Sequence, residues 1–303
     1  MLDDLKPLAL FARVIELGSF RAVARAEGLS ASVVSLHVSE LEKRLGVPLL
    51  YRSTRRLALT PDGESLLAPA RTMIDAAQRG IDLVSGRSAA PGGVLRLTAP
   101  AFFAETPFPR HVAAFMRAYP RVQLSMSFSE APRDLLRDGL DVALRIGRLE
   151  DSALKVKKVA EMHRVLVAAP KYAAARRPPR RPADLAAWDF IRLTSRPAEV
   201  TLASEARGVS ATVKFEGRAS TDSAAAMRAL VLEGAGVAAL PEVMVRGALA
   251  SGAAVEPLPG WRPTGLSVYA VRPHAAAVSG VAQLFVDFVG PKLAQLFQRD
   301  GAH

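Results

Sequence analysis

The sequence predicts an α/β protein in two parts, a small helical head with a helix-turn-helix and wing, and a larger domain of alternating strands and helices. Three observations lead there. Residues 1–84 carry apolar residues at helical spacing almost throughout. Ser85-Gly86-Arg87-Ser88-Ala89-Ala90-Pro91-Gly92-Gly93 is a small-residue run with Gly and Pro, which reads as a linker. Beyond it, short apolar runs alternate with helical patterns, as βαβ units do.

In the head, Asp4 can cap a first helix whose apolar face is Leu5, Leu8, Phe11, Ala12 and Ile15, ended by Gly18. Ser19 caps a second helix, roughly Phe20 to Ala26, and Gly28 follows where a left-handed backbone suits. Ser30 opens a third, about Ala31 to Leu45, stopped by Gly46 and Pro48. A short helix, a Gly-containing turn and a second helix make a helix-turn-helix. Leu49-Leu50-Tyr51-Arg52 and Arg56-Leu57-Ala58-Leu59 flank Ser53-Thr54-Arg55 as two short strands around a basic turn, a wing. Thr60-Pro61 starts a long helix running to about Val84. Its apolar positions Leu66, Ala70, Met73, Ala77, Ile81 and Val84 form a seam for a partner helix. The plainer reading is that the seam packs on its own winged domain.

Composition bounds the function. The 303 residues are 50% hydrophobic and 23% charged, which excludes a mostly disordered or collagen-like chain. With no cysteine, disulfides, thiolate zinc sites and cysteine nucleophiles are absent. No stretch approaches about 18 uncharged apolar residues, and MLDDLKPL lacks the regions of a secretory signal. The expectation is a soluble cytoplasmic protein with no membrane partner. The net charge of +11 suits nucleic-acid binding. Residues 1–60, however, hold nine basic and six acidic side chains, so most of the excess lies beyond the head. Arg outnumbers Lys 32 to 8, and codon bias explains the surplus equally well.

The head then shows a resemblance. Gly18-Ser19-Phe20, Ala22, Ala24, Leu29-Ser30-Ala31-Ser32-Val33-Val34-Ser35, Leu41-Glu42, Leu45-Gly46-Val47-Pro48-Leu49-Leu50, Arg52 and Leu59-Thr60-Pro61-Asp62-Gly63 strongly resemble a LysR-type transcriptional regulator. Arg52-Ser53-Thr54-Arg55-Arg56-Leu57 looks like the wing of one large subgroup. Weaker similarity continues through Leu95 to Pro100, Tyr119-Pro120, Asp141 to Gly147 and Gly234 to Pro241, in the order of the family's effector domain. The family often has Gln or Pro near Ala31 and a polar or basic residue near Leu36. Neither Ala31 nor Leu36 can make bidentate hydrogen bonds to bases.

A recognition helix reads the major groove with its N-terminal, outward residues. Here those are Ala31, Ser32, Ser35 and Leu36, with Val33, Val34, Val38 and Leu41 read as core. The Ala31 methyl and Leu36 can touch thymine methyls. Arg52, Arg55 and Arg56 on the wing suit phosphates or a narrow minor groove, or pair with Glu40 or Glu42. Ser19 and Arg21 sit where free N–H groups hold a phosphate, and Ser30 caps the reader. His37 is read either as a DNA contact or as a packing residue.

For residues 91–303 the resemblance implies a two-lobed α/β domain like periplasmic solute-binding proteins. Residues 1–60 would be the winged head, 61–90 the linker helix and hinge. Lobe 1 would hold about 92–165 and 270–303, lobe 2 about 166–269, with crossings at Val165–Pro170 and Leu266–Val271. A helix near Val278 to Phe297 is expected to break at Gly290-Pro291. Ligands bind beyond strand C-termini and beside helix N-termini. That selects Thr98, Ala99, Pro100, Ala101 and Phe102 after one strand, and Thr194, Ser195 and Arg196 after another. Thr221, Asp222 and Ser223 open a helix from Ala224 to Leu232, and Arg145 and Gly147 end a fourth segment. Free N–H groups and hydroxyls suit a small carboxylate. Plain capping by Asp222 explains the Ser220 to Ser223 run equally well, and Phe102 and Phe103 are read as cleft wall or core.

Other motifs carry no chemistry. Gly234-Ala235-Gly236-Val237-Ala238-Ala239 fits a dinucleotide pattern but follows a helix and precedes a strand, the reverse of what that site needs. The five histidines share no metal-ligand spacing, and Asp138 and Asp141 sit at a helix-to-strand turn. No cofactor or metal is expected. The expected function is a DNA-binding transcriptional regulator controlled by a small effector between two lobes. Its partners would be double-stranded DNA with an inverted-repeat operator, itself as dimer or tetramer, and RNA polymerase. Two alternatives stay open: a regulator with a ligand-insensitive second domain, and an enzyme with a fused DNA-binding head, for which no nucleophile–base pair is visible.

Overall fold

The computed structural model describes residues 2–51, 57–84, 91–131, 133–147, 154–273 and 280–298. They divide into two compact units. The first comprises the chain up to Pro91 and takes in Arg133–Asp141 from later in the sequence.

In the first unit a 3-10 turn, Leu2–Asp4, runs into α1 (Leu5–Leu17). Asp4 is already helical, with φ −89° and ψ −18°, and its side chain caps nothing; an N-cap needs extended backbone to turn its carboxylate onto the helix end. Leu5, read as part of the apolar face, is exposed. The next two caps form as expected. Ser19 Oγ accepts from the Ala22 N–H at 3.1 Å at the head of α2 (Phe20–Glu27), and Ser30 Oγ from the Val33 N–H at 3.2 Å at the head of α3 (Ala31–Leu45). Val34, Val38 and Leu41 step by four and three along α3 and pack with Phe11, Val14, Val23 and Ala24 in one core. Val33, read as core, stands about 100° round the helix from Val34 and is 37% exposed.

The wing is built from β1 (Leu50–Tyr51) paired antiparallel with β2 (Ala58–Leu59); Leu49 and Leu57, read as strand, lie outside them. Glu42 on α3 fixes its entry, its Oε1 accepting the N–H of Leu49 at 2.8 Å and of Leu50 at 3.1 Å. Thr60 ends the wing and starts α4 (Pro61–Val84). Its Oγ1 accepts from the Gly63 N–H at 3.1 Å and donates to the Pro48 carbonyl at 2.6 Å. Gly63 is obligatory here, since a Cβ would stand 2.1 Å from the Leu49 oxygen.

The seam of α4 splits along its length. Ala70 is buried in the head's own core, with Leu66 partly buried against it. Met73 is half-buried, Ala77 is exposed, and Ile81 is 62% exposed. The Val84 side chain lies outside the described residues. Arg133–Asp141 packs in this unit with Leu135 and Leu140 buried and Gly139 against Ala68. Asp138 there pairs with Arg133 at 2.7 Å. Among the described residues, 133–141 form turns and not the helix expected to lead into this segment.

Among the described residues the second unit has three sheets. In the largest, β3 (Gly93–Ala99) lies between parallel neighbours β4 (Val122–Phe128) and β5 (Val142–Ile146), and β14 (Leu266–Pro273) pairs antiparallel with β5 and β6 (Leu154–Met162). The second runs β11 (Gly217–Thr221), β8 (Phe190–Leu193), β12 (Val237–Pro241), β7 (Arg164–Ala168), the last antiparallel. A small antiparallel sheet of β10 (Val209–Lys214), β9 (Glu199–Ser204) and β13 (Arg262–Pro263) flanks it. The chain changes sheet at His163 and again at Thr264-Gly265. The stretches read as crossings, Val165–Pro170 and Leu266–Val271, therefore start or fill strands on either side. Arg164 ties the two passages together, its Nε and Nη2 donating to the Thr264 carbonyl at 3.0 and 2.8 Å.

Helices α5 (Phe108–Ala118), α6 (Pro170–Ala174), α7 (Ala224–Leu232), α8 (Glu242–Ala250) and α9 (Gly280–Leu296) cover the sheets. The expected break at Gly290-Pro291 does not occur; α9 continues through Pro291. Proline costs about 3 kcal/mol in a helix interior. Here that is outweighed by an apolar stripe of Val281, Phe285, Val286, Val289, Leu293 and Leu296, all buried. Gly236, in the dinucleotide-like run, is needed for packing: a Cβ would stand 2.2 Å from the Asp189 oxygen, where the Val237 N–H binds at 2.9 Å.

Candidate DNA-reading helix and effector cleft

In the first unit the N-terminal turn of α3 presents Ser32, Val33, Ser35 and Leu36 to solvent, Leu36 at 56% exposure. Ala31 is half-buried and packs on the core. Ser32 Oγ lies 2.9 Å from Ser30 Oγ, the hydroxyl that caps the helix. His37 is half-buried with Nδ1 3.6 Å from Glu40. Ser19 caps α2, and Arg21 beside it is exposed. Among the described residues Arg21, Arg25 and Lys43 make no ion pair, whereas Arg13 is held by Glu16 and Glu27 and Arg44 by Asp4. The free N–H groups at the head of α2 and Arg21 beside them suit a phosphate. Arg52, Arg55 and Arg56 lie outside the described residues.

In the second unit β3 delivers buried Thr98 and Ala99, then Pro100 and a 3-10 turn, Ala101–Glu105. Phe102 is core: it is 4% exposed, with its ring 4.9 Å from that of Phe103. From the other lobe, the Thr194 N–H donates to the Thr221 carbonyl at 2.8 Å, which brings the ends of β8 and β11 together. Thr194, Ser195 and Asp222 are exposed there. Ser223, not Asp222, caps α7, accepting from the Ala226 N–H at 3.2 Å, while Thr221 Oγ1 accepts the Ser223 N–H. The chain at Ser223 is extended (φ −113°, ψ 120°), as an N-cap must be. Arg145 is half-buried near the end of β5, and Gly147 is buried beneath the Arg196 guanidinium.

Two features of the cleft, Glu130 and the Arg228–Glu105 pair, escaped the sequence reading. Glu130 faces the backbone N–H groups of Phe102 and Ala101, and its Oε1 is enclosed without a hydrogen bond. Burial pushes its carboxyl above the ordinary value, the two amides oppose this, and the charge of Asp222 adds to it. Thus the amides expected to receive a ligand carboxylate already face one from the chain. Arg196 reaches from one lobe to the other, and Arg228 pairs with Glu105 at 2.9 Å. Burial, then the charge of Arg196, lowers Arg164 to about 10, which leaves it cationic at neutral pH. Glu130 follows the end of β4, so the strand-end rule would have found it had that strand been recognised.

A separate open cavity of about 710 Å³ on the second lobe is lined by Trp188, Asp189, Phe215 and Arg218. Its Asp189 is held by Arg176 at 2.6 Å and by the Tyr172 hydroxyl at 3.0 Å. Among the described residues no group of His, Cys, Asp or Glu could hold a metal ion, and no helix is long and apolar enough to cross a membrane.

Residues 5–64 match the bacterial regulatory helix-turn-helix domain of the lysR family, and residues 88–294 match the LysR substrate binding domain. The chain is 37% identical to the HTH-type transcriptional regulator PtxR of Pseudomonas aeruginosa, over 94% of this chain and 91% of that protein. It is 31% identical to the HTH-type transcriptional activator AaeR of Escherichia coli, over 89% and 87%. Among solved structures, CrgA, a LysR-type transcriptional regulator from Neisseria meningitidis, superposes with a TM-score of 0.59 at 28% identity, over 95% of this chain and 98% of that one. A capped helix-turn-helix, a wing and linker helix, and a two-lobed α/β domain in this order and with these matches make the chain a member of the LysR family of transcriptional regulators.

Proposed function

We propose that α3 enters the DNA major groove while Arg21 and the α2 N-terminus hold a phosphate, with Arg52, Arg55 and Arg56 on the flanking backbone. The observation that carries this is the first turn of α3, which Ser30 caps and which turns four side chains to solvent while Val34, Val38 and Leu41 anchor it. The protein works in the cytoplasm as a homo-oligomer on an inverted repeat, in reach of RNA polymerase, and performs no catalysis. Ala77 and Ile81 supply the exposed stretch of α4 for pairing. Gel shifts with DNA upstream of its own gene should show at least tenfold preference over random duplex at moderate salt, since phosphate contacts alone give no preference. Equal binding to both would refute regulation by this head. Ile81→Glu should weaken self-association tenfold or more in sedimentation without unfolding the chain.

A small effector binds between the lobes, among Thr98, Ala101, Arg145, Thr194 and Thr221, and acts through its differential affinity for two lobe arrangements. It needs no cofactor. One observation favours a second reading, a ligand-insensitive domain: Glu130 already faces the amides of Ala101 and Phe102. Thermal shifts of the full chain against small acids, amines and aromatics separate the two, since a ligand at 100 times its Kd adds about 2.7 kcal/mol of stability.

A further inference from the structure

The recognition helix carries an apolar edge that folding does not require. Val33 and Leu36 are 37% and 56% exposed. They lie three positions apart, on one helix face. The core side of α3 is already filled by Val34, Val38 and Leu41. The polar neighbours of that edge are the short, exposed hydroxyls of Ser32 and Ser35, Ser32 lying 2.9 Å from the capping Ser30 Oγ; Ala31 packs inward, and His37 is half-buried beside Glu40.

Resting on the DNA-binding reading above, we infer that Val33 and Leu36 determine operator specificity by reading thymine C5 methyl groups. The methyl is the one apolar group that base pairs present in the major groove. Opposite the polar edges of guanine or adenine, Val33 and Leu36 would leave acceptors and donors stripped of water with nothing in return. Side chains at this spacing have Cβ atoms about 5–6 Å apart, and base pairs are stacked about 3.4 Å apart. The two thymines therefore fall on neighbouring or next-but-one base pairs, on either strand.

The test starts by selecting duplexes from a random pool with the full chain. Each thymine of the recovered half-site is then replaced by deoxyuracil, which removes the methyl alone. Two positions within two steps should each lose affinity about threefold to fivefold, the worth of burying one methyl-sized group. Val33→Ala and Leu36→Ala, both at exposed positions and checked by melting, should each abolish sensitivity at one of the two. Uracil duplexes that bind as tightly as thymine throughout overturn the inference, as do variants that keep full sensitivity. If the chain selects no sequence, the DNA-binding reading falls with it; if it selects one and ignores uracil, only the methyl reading falls.

Discussion

Glu42 does with one carboxylate oxygen what a wing needs from a helix, closing two backbone N–H groups of partly buried chain at Leu49 and Leu50. Replacing it by Ala orphans both donors and should cost about 2 kcal/mol in urea unfolding. Glu42→Gln keeps an acceptor and should recover more than half of that. Glu130 is the opposite case, a carboxylate in surroundings that oppose its charge. Burial raises its folded value above the ordinary 4.5. Between 4.5 and the folded value, the folded chain holds the proton after the unfolded chain has lost it. Stability therefore falls as pH rises through that window and stays lowered above it. Glu130→Gln should raise the melting temperature relative to wild type at pH 7.5 and do so less at pH 4.5. An equal difference at both pH values overturns this account.

Elements show which glycines are structural. On α4, Gly63 lies against the Leu49 carbonyl, while Gly80 has nothing within 4 Å. Gly63→Ala must push wing and helix apart and should cost about 2–3 kcal/mol. Gly80→Ala on the same helix should be neutral or stabilising by up to about 1 kcal/mol, through lower chain entropy and better helix propensity. Denaturant midpoints of the two variants should move in opposite directions. The same helix shows the limit of periodicity. Leu66, Ala70, Met73, Ala77 and Ile81 form one seam by spacing, yet Leu66 and Ala70 face the head's own core and Ile81 faces solvent. Spacing selects a face; it does not say what covers it.

Within the second unit, the link between lobes runs through two chain passages that Arg164 clips together at Thr264. Arg164→Met should cost about 1 kcal/mol by leaving that carbonyl without its charged donor. It should also speed amide hydrogen exchange at both passages, at His163 and at Gly265. Faster exchange at one passage alone would show that the clip does not join them. Arg228 and Glu105 bridge the lobes at 2.9 Å, but both are partly exposed, so this pair adds little to static stability.

Local chemistry was legible residue by residue. Ser19, Ser30 and Thr60 cap the helices they precede, Gly18, Gly28 and Gly46 end theirs in the left-handed region, and α3 and α7 have the bounds read from the sequence. Each depends on groups within a few positions along the chain. What only the tertiary structure decided depends on distant neighbours. Val33 against Val34, the sheet change at His163, the survival of α9 through Pro291 and the placing of Glu130 before the Ala101 amides are settled by packing partners tens to hundreds of residues away. No local pattern encodes them, because burial and desolvation depend on what surrounds a side chain after the whole chain has closed on itself.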